Sequence, residues 1–180
     1  MNNQSLINKF NENGYVILPK FLSRKEVKNI YFQLEQLINI SLEKYPRKSK
    51  IKTLDEKYIY LKKINPKLKS HFYDLTKYVD EMITLAGSKK FVKTAKMLLK
   101  SKTVLVDSPQ VRIDHRTDAY WYPQHQELNQ ISKDVITIWI PLVNLDKSFG
   151  GLYIRPKTHT LGHLPYKGSD LSGKEAGEGR

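Results

Sequence analysis

The chain of 180 residues has no cysteine, which excludes a disulfide framework and any thiolate metal site and fits a reducing, cytoplasmic setting. Long apolar runs are missing too. The longest, residues 135–143, is interrupted by Thr137 and is too short to span a bilayer. The opening MNNQSLINKF is polar and has no signal-peptide core. Acid is scarce: 18 Asp or Glu stand against 31 Lys or Arg, a formal charge of +13.

That excess is uneven. Between residues 44 and 69, ten Lys or Arg face only Asp55 and Glu56, with Tyr45, Tyr58 and Tyr60 interleaved. Such a stretch is either a solvated helical face or an attractor for an anionic substrate, such as a phosphate-bearing compound. Nucleic acid is the weakest reading, because no helix-turn-helix, zinc-finger or RRM-type aromatic motif accompanies the charge.

The length suits a single domain with one sizeable core. Residues 1–100 read as mainly helical. A short helix over residues 5–12 is stopped by Gly14, and residues 15–18 form a strand candidate. Ser23 with Glu26 three residues on makes a capping box, followed by Val27, Ile30, Leu34, Leu37 and Ile38 at helical spacing until about Lys44. Residues 47–57 read as a basic loop. Beyond Pro66, the apolar positions Leu68, Phe72, Leu75, Val79, Met82 and Ile83 predict one long amphipathic helix ending near Gly87. A shorter helix carries Phe91, Ala95, Leu98 and Leu99.

From residue 101 onward helical periodicity stops. Residues 103–107, 110–114, 135–143 and 152–155 read as strands, with Gly150 and Gly151 turning into the last. The chemistry concentrates here, in YPQHQELNQISKDVITIWIPLVNLDKSFGGLYIRPKTHTLGHLP. His125 and Glu127 stand two apart in what reads as a strand, whose period of two turns both side chains to one face. An imidazole and a carboxylate side by side are two of the three groups in the facial triad of non-haem iron(II). Alone, the His-x-Glu pair is a weak signal.

Its context makes it stronger. Tyr122 and Pro123 lead into the pair, the run VITIWIPLV follows, DKSFGG turns into LYIRP, and KTHTLGHLP comes next. This order resembles the phytanoyl-CoA dioxygenase family of iron(II)- and 2-oxoglutarate-dependent oxygenases, and FNENGYVILPKFLSRKEV near the N-terminus is similar to that family's opening. The resemblance implies an α+β fold: a double-stranded β-helix (a cupin-like jelly roll), with the N-terminal helices packed on the sheet and residues 101–180 forming its first part. It implies iron(II) held by His125 and Glu127, 2-oxoglutarate as co-substrate, and hydroxylation of a small organic substrate. Trp139 would border the 2-oxoglutarate pocket or else belong to the core. Arg112 would hold an acidic group of co-substrate or substrate, or else pair with Asp114 or Asp118.

Two departures matter. Glu127 replaces the family's usual aspartate, moving the carboxylate about 1.5 Å outward. The family's distal histidine and 2-oxoglutarate arginine fall beyond the last residue, so the barrel is expected to be incomplete, finished by further chain, a second polypeptide or a homo-oligomeric partner. His159 matches a histidine that in the family holds a loop in place rather than metal, and neither it nor His163 is expected to bind iron. The alternative is a non-catalytic jelly-roll binding protein that lacks a complete iron site.

Overall fold

A computed structural model describes residues 2–46, 51–113, 125–126, 134–145 and 151–162. These fall into two compact units. One comprises residues 18–96 and 102–112, the other residues 1–17, 97–101 and 113–180.

The first unit is a helical bundle organised on α2 (Arg24–Leu42). Its start is fixed by the expected capping box: Ser23 Oγ accepts from the Glu26 N–H at 3.2 Å, and Glu26 returns a carboxylate oxygen to the Ser23 N–H at 2.7 Å. Two of the four orphan amides of the first turn are thereby satisfied. Ile30, Leu34, Ile38 and Leu42 form its buried stripe. Against α2 pack α3 (Leu54–Ile64), α4 (Lys67–Leu75) and α5 (Asp80–Ala86). Leu34, Ile38, Leu61 and Phe72 are almost wholly removed from solvent, each worth roughly 1.5–3 kcal/mol of transfer free energy. Gln33 of α2 reaches the start of α5 and accepts the Glu81 N–H at 2.9 Å.

α3 begins inside what reads from sequence as a basic loop. Thr53 and Glu56 form a second capping box, with the Glu56 carboxylate also taking the Lys52 N–H at 2.8 Å. Lys57 then pairs with Glu35 of α2 at 2.5 Å. The long helix expected after Pro66 is broken. α4 passes into a 3-10 turn, Thr76–Tyr78, and Val79 is extended at φ −68°, ψ 113° before α5 starts. α6 (Lys89–Leu99) buries Phe91 and Leu98. Near its start, Lys90 donates to the Phe21 carbonyl at 3.1 Å and pairs with Glu26 at 2.6 Å, beside the edge-to-face Phe21 and Phe91 rings.

In the second unit, α1 (Asn3–Asn13) is capped at its start by Asn2, whose side chain accepts the Ser5 N–H at 2.8 Å. It ends at Gly14 in the left-handed region, φ 78°. The second unit also holds the last residues of α6 and a 3-10 turn, Thr158–Leu161.

The α+β jelly roll expected from the sequence is overturned. Among the described residues the elements are helices and 3-10 turns, with no β-strand, and the N-terminal helices pack on one another rather than on a sheet. Alternating β-branched residues raise strand propensity, but a strand exists only where its amides meet a partner edge. At residues 110–111 the partners are helical side chains instead: the Val111 N–H donates to Thr76 Oγ1 and the Gln110 side chain accepts from the Tyr73 hydroxyl. Leu105, expected inside a strand, is 81 % exposed. No helix among the described residues is long and apolar enough to cross a membrane.

Candidate functional site

The residues singled out for chemistry divide between the two units. Arg112 belongs to the helical bundle, directly after buried Val111, and is an exposed residue that takes part in an interaction. His125 and Trp139 belong to the other unit. His125 is exposed and takes part in an interaction. Trp139 is 49 % exposed, in a run where Ile138, Val143 and Leu145 are exposed as well. That run was expected as a strand, and no strand forms at the described residues 134–145.

Glu127 and His163 lie outside the described residues, as do Asp114 and Asp118, the alternative partners of Arg112. Among the described residues no three His, Asp or Glu side chains gather as a metal site. Of the proposed iron ligands, His125 is therefore the one whose place is defined. Its chemistry fits iron(II), since a neutral imidazole nitrogen is a borderline donor suited to that ion. The described residues do not close the coordination sphere.

Around His125 the structure defines a network of which only the loop-holding role of His159 was expected. Gln126, its immediate neighbour, donates from Nε2 to the Gly162 carbonyl at 2.8 Å. Gly162 closes the Thr158–Leu161 turn at φ 70°. Within that turn His159 places Nε2 2.9 Å from the Asn11 carbonyl on α1. A carbonyl only accepts, so Nε2 carries the proton and Nδ1 is the nitrogen left over. Nδ1 lies against Gly14, where it occupies the space a Cβ would take. The Lys157 N–H adds a backbone bond to Asn13 at 2.9 Å, and Lys157 itself sits at φ 66° to make it.

His159 is thus a tie between a loop and a helix, with its metal-capable nitrogen turned to the backbone of α1. Gly14 is required twice, for its left-handed φ and for the ring above it. The glycine was legible as a helix stop; its contact with a residue 145 positions away leaves no local trace in the sequence.

No curated protein and no solved structure matches the chain. A family model does, over residues 10–175, nearly the whole length. This chain belongs to the phytanoyl-CoA dioxygenase (PhyH) family.

Proposed function

We propose that the chain is an iron(II)- and 2-oxoglutarate-dependent dioxygenase that hydroxylates a small organic substrate, with His125 and Glu127 supplying two of the iron ligands and Trp139 flanking the co-substrate. The family is generally dependent on iron(II) and 2-oxoglutarate, and membership makes this a dioxygenase-type enzyme. When bound, iron(II) with 2-oxoglutarate supplies the oxidising power for C–H hydroxylation. The protein's contribution is to present donors in fixed directions and to shape the space beside them.

The observation that carries the reading is the family match over residues 10–175, which includes the His-x-Glu pair. Trp139 is half exposed rather than sealed in a core, which supports it. The basic stretch of residues 44–69 is consistent with an anionic substrate, although Lys57 there is already paired with Glu35. Substrate identity resides in loops that fold and family leave open.

Equilibrium dialysis of the full chain against iron(II) under anaerobic conditions tests the ligand assignment. The expected result is one bound iron per chain, with binding lost in His125→Ala and in Glu127→Ala. Binding unchanged in both variants overturns it.

A further inference from the structure

We propose that the last turn of α1 is a receptor for the loop of residues 151–162, and that the loop, through the Gln126 to Gly162 bond, sets the position of His125. Gln126 and His159 are then positioning residues for the proposed iron ligand. The inference rests on His125 being that ligand.

The connection is continuous, and every link lies in the same compact unit. Asn11 and Asn13 offer carbonyls at the end of α1, where the last four acceptors of a helix have no intrahelical partner. Two of those orphan acceptors are filled from the loop, by His159 Nε2 and by the Lys157 N–H, each at 2.9 Å. Gly14 brings the backbone close enough for the imidazole to lie on it. The turn carrying His159 is held from within by Thr158 and Thr160, whose hydroxyls donate to the Arg155 and Lys157 carbonyls at 3.0 and 2.8 Å. Its last carbonyl, that of Gly162, takes Gln126. Residue 126 is thereby fixed by a side-chain bond one residue from His125. A ligand's direction depends on such outer contacts, whose loss typically weakens metal affinity about 10–100-fold.

The test uses cobalt(II) as a spectroscopic probe on the full chain, following its visible absorption during titration, with thermal melting in parallel. Wild-type protein is expected to bind and His125→Ala to fail. Gln126→Ala and His159→Ala are each expected to weaken binding about tenfold or more while leaving folded protein. His159→Gln, which keeps a donor near the Nε2 position, should recover most of the loss. The double variant Gln126→Ala/His159→Ala should lose little more than either single change, since both interrupt one path.

If His125→Ala abolishes binding while Gln126→Ala and His159→Ala bind as wild type, the positioning inference is overturned and the ligand assignment stands. Lower melting temperatures with unchanged cobalt affinity also overturn it, because a purely structural tie acts on stability alone. Wild-type protein that takes no cobalt removes the ligand assignment and the inference with it.

Discussion

The backbone N–H of Val111 donates to the hydroxyl of Thr76 at 3.0 Å, and both residues are buried. Thr76 Oγ1 in turn donates to the Tyr73 carbonyl at 2.7 Å. One hydroxyl thus joins the break between α4 and α5 to a segment that would otherwise need a sheet edge. Replacing it with a methyl, Thr76→Val, keeps the shape and leaves the Val111 amide without its acceptor. A loss of about 1–3 kcal/mol is expected, the usual cost of a buried unsatisfied donor, measured by urea unfolding against wild type. A change below a few tenths would mean that the amide finds another partner.

Glu26 carries the second prediction. The Lys90 ammonium, then the Ser23 N–H, holds its carboxyl at about 2, below the usual 4.5. A depressed carboxyl stabilises the fold when ionised, so its contribution is complete above the unfolded value and is lost as pH falls toward about 2. Unfolding free energy should therefore drop between about pH 5 and pH 2. In Glu26→Gln that drop should be smaller, the difference from wild type closing as the acid limit is approached. Parallel pH profiles for the two proteins would contradict the pairing.

Gly14→Ala is expected to destabilise strongly for its size. Alanine at φ 78° is strained, costing about 1–2 kcal/mol, and its Cβ must displace the His159 ring. Thermal melting should show a loss of that order or more. In a His159→Ala background the ring is gone, so the same substitution should cost less. Equal costs in both backgrounds would show that the ring contact contributes nothing.

These sites also show where the sequence was readable. The Ser23 and Glu26 box and the stripe of α2 were plain, because both signals are local and the helix needs little else. The same signature at Thr53 and Glu56 marked α3, but the surrounding lysines pointed to a loop; charge reports exposure, and an exposed helix face looks the same. The break at residues 76–79 was hidden because Phe72, Val79 and Met82 are all buried and keep helical spacing across it. Thr76, completely buried, was the one polar residue out of place in that stripe.

The described residues after 101 misled for a different reason. β-branched alternation describes what a backbone tolerates, whereas a sheet depends on partners far along the chain. Residues 110–111 met helical side chains instead. The family was legible because it resides in motif order, from FNENGYVIL to the His-x-Glu pair and KTHTLGHLP, which survives without any statement about strand pairing. The link from Asn11 through His159 and Gly162 to Gln126 was beyond reach, since it joins residues that no periodicity connects.

The most direct trial of the central claim is release of succinate from 2-oxoglutarate by the purified full chain, with iron(II) and oxygen supplied and candidate small organic acids and phosphate esters offered as substrates. Wild-type protein is expected to release succinate only when iron(II) is present, and His125→Ala is expected to release none above background. Equal release by wild type and His125→Ala, or release indifferent to iron(II), would contradict the account.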